Sequence, residues 1–156
     1  MNAHLPPRET LSGGDAGDEA TKNDRGNMSD EKDPFGVMIF SYTRAQAIAD
    51  GVLIDVTETA KEAGFRYPVA LTHAAYAEYV KVPEGVVAQD EAGRLWDILN
   101  MLRFAIAKSP RGSSELLFKL YVRNDNRRAQ LVTLKSVCGP NDDASPCLTV
   151  MLPDED

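Results

Sequence analysis

A chain of 156 residues with 43% hydrophobic side chains has the length and apolar content of one folded domain with tails; lacking an apolar run near 18 residues or an apolar start, it predicts a cytoplasmic protein without a membrane span or secretory signal. Its 17 Lys and Arg against 24 Asp and Glu give −7, but residues 1–33 hold −4 of this and Asp154, Glu155 and Asp156 hold −3, so the neutral remainder argues against both a DNA-mimicking carboxylate surface and a strongly basic nucleic-acid binder. Two cysteines exclude a disulfide framework and a four-thiolate metal centre.

Residues 1–33 have Met1, Leu5, Leu11 and Met28 as their only large apolar side chains. That is too little to offset the entropy of ordering, so the segment reads as a disordered acidic tail that aids solubility. Met28-Ser29-Asp30-Glu31 has the form of a second translation start, which makes residues 1–27 an expected extension of the gene model. One α+β domain is expected over 34–153, with 154–156 an acidic end.

Within it, Val37-Met38-Ile39-Phe40 reads as a short buried strand. Thr43 caps a helix closed by Gly51, and Val52–Val56 is extended. Thr57 caps a second short helix, Glu58 to Ala63, stopped at Gly64. Tyr67-Pro68-Val69-Ala70-Leu71 is extended because proline pushes its predecessor out of the helical region. Thr72 caps a third helix, His73 to Val80, ended by Pro83 and Gly85. Asp90 opens the longest helix, to about Lys108. Ala92, Leu95, Leu99, Leu102 and Ile106 form its stripe, and Trp96, Ile98, Met101 and Ala105 widen it, which predicts a central helix covered on more than one side.

The last third has period two: Leu116, Phe118, Leu120 and Val122 alternate with Leu117, Lys119, Tyr121 and Arg123. After the turn residues Asn124-Asp125-Asn126 come strands over Gln130–Cys138 and Cys147–Leu152. Short connections predict a three-stranded antiparallel meander packed on the long helix. Phe118, Leu120, Val132, Leu134, Leu148 and Val150 are its inner face. Lys119, Tyr121, Thr133, Lys135, Thr149 and Met151 are its outer face.

Candidate chemistry is sparse. His73, in the first turn of its helix, carries the imidazole of a candidate general base but has no nucleophile at readable spacing. Cys138 and Cys147 flank one loop and are placed to face each other across a hairpin, as thiols in a reducing compartment. With His73 they fall short of a metal ligand set. Asp142 and Asp143 in that loop lack calcium-loop spacing and read as turn formers. Among Asp55, Glu58 and Glu62, the last two share a helix face, where dipole compensation explains them better than acid–base work. The strongest constellation is basic and aromatic: Lys119, Tyr121, Arg123, Arg127, Arg128 and Lys135. Bases around an aromatic on an open sheet face can hold single-stranded nucleic acid, although cations on sheet edges also prevent aggregation. There is no phosphate loop or nucleophile elbow, and no cofactor is implied.

The run Ser41-Tyr42-Thr43-Arg44-Ala45-Gln46-Ala47-Ile48-Ala49-Asp50-Gly51-Val52-Leu53-Ile54-Asp55-Val56-Thr57, with Gly93-Arg94-Leu95-Trp96-Asp97 and Met151-Leu152-Pro153-Asp154-Glu155-Asp156, resembles the signature of a small bacterial family of unknown function. That family is scattered over chromosomes, plasmids and phages. The resemblance implies no activity, cofactor or catalytic residue, but it suggests an accessory role such as inhibition of host defence. The expectation is a non-catalytic module that binds a protein partner and acts by occluding its surface. Single-stranded nucleic-acid binding through the basic and aromatic face is the alternative, and a small enzyme using His73 comes third.

Overall fold

The computed structural model describes residues 42–156. The tail expected over 1–33 and the strand expected at Val37-Met38-Ile39-Phe40 lie outside the described residues. In chain order the elements are α1 (Arg44–Ala49), β1 (Leu53–Asp55), α2 (Thr57–Glu62), β2 (Val69–Thr72), α3 (His73–Tyr79), α4 (Glu91–Lys108), β3 (Glu115–Val122), β4 (Gln130–Pro140) and β5 (Pro146–Met151).

The fold is α+β, and the meander β3–β4–β5 forms as expected, but it is part of a five-stranded mixed sheet ordered β1-β2-β5-β4-β3. β2 runs parallel to β5, with Ala70 opposite Thr149, and β1 closes the far side antiparallel to β2. The short N-terminal strands thus extend the sheet. Val69, Ala70 and Leu71 are buried without alternation, as expected of an inner strand covered on both faces.

Helix starts follow local chemistry. The Thr43 hydroxyl accepts from the Gln46 N–H, and the Gln46 side chain returns a bond to the Thr43 N–H at 2.7 Å, a capping box. Thr72 and Asp90 accept from the backbone N–H of Ala75 and Gly93. Thr57 differs from the reading above. It is the first residue of α2, and the Asp55 carboxylate accepts both its N–H at 3.0 Å and its hydroxyl at 2.5 Å. The same hydroxyl accepts from the Val69 N–H at 3.2 Å, so it ties α2 to β2 instead of capping the helix. Gly64, at φ +99°, makes the left-handed stop after α2.

α4 is not central. It buries Arg94, Leu95, Ile98, Leu99 and Leu102 against the sheet, whereas Trp96, Met101, Phe104 and Ile106 remain exposed. The helix is apolar beyond the stripe that the sheet covers. Its partners are the alternate residues Phe118, Leu120, Val122, Leu134, Leu148 and Val150, with Val69 and Leu71 continuing the core beyond the meander.

Candidate functional site

Two structures cover part of the sheet's outer face. From α1, Arg44 donates through Nη1 to the Thr149 hydroxyl at 2.8 Å and through Nη2 to the Leu148 carbonyl at 3.0 Å. From the C-terminal turn, Glu155 accepts from the Thr72 hydroxyl at 2.8 Å and from the Leu152 N–H at 2.7 Å. Its own carbonyl accepts from Lys135 Nζ. These contacts lie over β5, β2 and the inner side of β4. On β3 and the outer half of β4, among the described residues, Leu117, Tyr121 and Leu131 stand 58%, 68% and 52% exposed on one face. Tyr121 is directly opposite Leu131, and Lys119 opposite Thr133, in the antiparallel register.

The six residues expected to form a basic and aromatic platform are therefore divided. Lys119 and Tyr121 are on the open face, and Arg127 and Arg128 are exposed in the β3–β4 turn. Lys135 is a correction: it is only 7% exposed and bound to the C-terminal turn. Arg123 is also not on the platform. It is half-buried, donating from Nη2 to the Val87 carbonyl at 2.6 Å, while its buried Nε has no hydrogen-bond partner among the described residues.

Arg123 borders a cavity of about 580 Å³ where the start of α4 meets the end of β3, together with Asp90, Arg94, Trp96 and Asp97, and Tyr121 of the open face reaches its rim. Arg94 is the residue that sequence reading missed. The residue is 7% exposed, and its guanidinium donates to the Tyr79 carbonyl (3.0 Å), Gln89 Oε1 (2.9 Å), the Arg123 carbonyl (3.0 Å) and Asn124 Oδ1. Burial lowers its pKa from the ordinary guanidinium value. The signal was a charge at a core-facing position, in helical phase with Ile98, Leu99 and Leu102.

The remaining candidates do not converge. His73 is exposed and borders neither this cavity nor a second one of about 340 Å³, which Cys138 lines with Arg103 and Ile106. Cys138 is opposite Leu148, and Cys147 opposite Gly139. The offset of one puts the two thiols on opposite faces of the sheet, so they do not face each other, and both are free. Burial pushes the Cys147 thiol above its ordinary pKa, against a smaller lowering effect of Arg44.

Asp142 and Asp143 have structural work. Asp142 accepts from the N–H groups of Arg44 (2.7 Å) and Ala45 (2.9 Å), anchoring α1 to the β4–β5 loop. Asp143 accepts from the Ser145 hydroxyl (2.5 Å) and N–H (3.0 Å), bonds that lower its carboxyl pKa. Glu58 pairs with Lys61 at 2.9 Å on exposed α2, while Glu62 lies exposed one turn on. Among the described residues no three His, Cys, Asp or Glu side chains gather as a metal-holding group, and no helix is long and apolar enough to cross a membrane.

These features define a small α+β domain with a mixed sheet covered on one face and half-covered on the other. Residues 35–156 match the model of a family of unknown function (DUF6573), and the chain belongs to that family. No curated protein and no solved structure is significantly similar to it.

Proposed function

We propose that this protein is a non-catalytic binding module whose contact surface is the open half of its sheet, and that its partner is another protein. The observation that carries this reading is the exposure of Leu117, Tyr121 and Leu131 together on one face of β3 and β4. Aliphatic and aromatic anchors of this kind form the desolvated centre of protein interfaces, surrounded by a polar rim. Lys119, Thr133, Arg127 and Arg128 are the rim here. In the accessory role suggested by the sequence resemblance, such a surface acts by covering one that its partner needs, and a defence component is the proposed target.

Single-stranded nucleic acid is the second reading, because Tyr121 stands beside Lys119 near the two turn arginines. It is less favoured: Lys135 and Arg123 are engaged elsewhere, and Tyr121, the one exposed aromatic on this face of β3 and β4 among the described residues, offers one stacking platform.

The test uses immobilised full-length protein in bacterial lysate, compared with its Tyr121→Ala, Leu131→Glu double variant. A specific protein retained by the wild type at 0.5 M salt and reduced at least tenfold on the variant supports the proposal. Equal retention by both overturns it. Salt-sensitive oligonucleotide binding by fluorescence anisotropy, lost on Tyr121→Ala, establishes the second reading instead.

A further inference from the structure

Among the described residues β3 ends the sheet, and hydrogen-bond alternation decides which of its residues turn their backbone outward. The Ser114 carbonyl accepts from the Cys138 N–H at 2.7 Å, and the register continues unbroken from Glu115 opposite Val137 to Val122 opposite Gln130. Residues 116, 118, 120 and 122 thus bond to β4, while Glu115, Leu117, Lys119 and Tyr121 direct N–H and C=O away from the sheet. The Glu115 carbonyl already accepts from the Ser113 hydroxyl at 2.6 Å, in keeping with that direction. Natural edges are blunted by proline, a bulge, short length or charged side chains, and on β3 only the last of these is present, as Glu115 and Lys119. β1, at the other edge, has three residues; β3 has eight, with no proline and no bulge against β4.

Apolar side chains are exposed on the outer face of this edge, Leu117 and Tyr121. On the inner side, Asp97 of α4 lines a cavity with Leu120 to Arg123.

We propose that a second copy of this chain occupies the edge, β3 against β3 antiparallel about a two-fold axis at Leu117, joining two five-stranded sheets into one. Charge selects this register. With Leu117 opposite Leu117, Glu115 faces Lys119 of the second copy, and symmetry repeats the pair. An axis at Lys119 opposes Lys119 to Lys119; an axis at Phe118 leaves Leu117 against Lys119 and Glu115 against Tyr121. Only the Leu117 axis pairs every charge with its opposite. A bare strand pair falls short of the roughly 1,200 Å² that a stable interface buries; the exposed Leu117 and Tyr121 side chains beside the strand add to it. Leu117 and Tyr121 border both surfaces, but exchanges at Glu115 and Lys119 act on the edge and Leu131 belongs to the sheet face, so the failure of either reading is seen separately.

Sedimentation velocity on the full chain over a micromolar concentration series reads the outcome. The wild type is expected at twice the 17.1 kDa chain mass. Glu115→Lys and Lys119→Glu, each placing two like-charge pairs across the axis, weaken the dimer at least tenfold, and the double exchange Glu115→Lys, Lys119→Glu restores it. All four proteins are first matched by circular dichroism, the charges being on exposed side chains. A wild type that stays monomeric overturns the proposal. A dimer indifferent to the single exchanges also overturns it, because it then uses another surface.

Discussion

The guanidinium of Arg94 is held by four oxygens, none of them from a carboxylate. Those oxygens belong to the last turn of α3, the segment before α4, the end of β3 and the β3–β4 turn, so one side chain fastens four parts of the chain. An uncompensated charge this deeply placed is tolerated because the fork of donors matches its acceptors and carbonyl dipoles replace lost hydration. Arg94→Met fills the volume but leaves acceptors without donors. It is expected to lower unfolding stability by about 2–3 kcal/mol, read from urea denaturation. Arg94→Lys keeps the charge but loses the fork, and is expected to recover less than half of that. A Met variant within about 0.5 kcal/mol of the wild type, the range of ordinary surface substitutions, refutes this account of Arg94.

At the scale of elements, α1 shows how a helix too short to stand alone is kept. Six residues are well below the length at which an isolated helix persists in water. Its first-turn N–H groups are satisfied by Thr43 and by Asp142 from the β4–β5 loop, and its Arg44 reaches β5. Asp142→Ala is expected to cost about 1–2 kcal/mol, the worth of a lost cap, and to speed hydrogen exchange in residues 44–50 while β3 and β4 amides keep their protection. Exchange accelerated uniformly across the domain contradicts this anchoring role. The caps at Thr43, Thr72 and Asp90 were legible in sequence because capping is a contact within three residues. Asp142 as a cap for α1 was not, since 97 and 98 residues separate it from its donors, and local pattern reads it only as a turn former. Thr57 misled for a related reason: Asp55, two residues earlier, takes its N–H.

For the whole molecule, the period-two pattern was enough to place β3, β4 and β5 with their inner faces, because alternation reports one covered side. It could not reveal that β2 enters the sheet parallel to β5, a pairing that joins residues 69–71 to 148–150; the unbroken apolar run Val69-Ala70-Leu71 was its only local trace. The outer face was read as uniformly open, and Lys135 as a binding residue, because nothing in the local pattern tells that the chain turns back after Met151. Glu155 makes that return specific. Its carboxylate accepts from Thr72, which itself caps α3, while its carbonyl holds Lys135. Asp154, Glu155 and Asp156 carry the same charge, yet Asp154 and Asp156 are exposed and Glu155 is half-buried. If the end of the chain served solubility alone, replacing any of the three by alanine would have the same small effect. The contacts instead predict that Glu155→Ala lowers the urea midpoint by the equivalent of about 1–2 kcal/mol, the loss of two hydrogen bonds to a charged acceptor with some rearrangement. Asp154→Ala and Asp156→Ala, removing equal charge, should stay within about 0.5 kcal/mol of the wild type. Equal shifts for all three would return the C-terminus to a solubilising tail and leave Lys135 available on the open face.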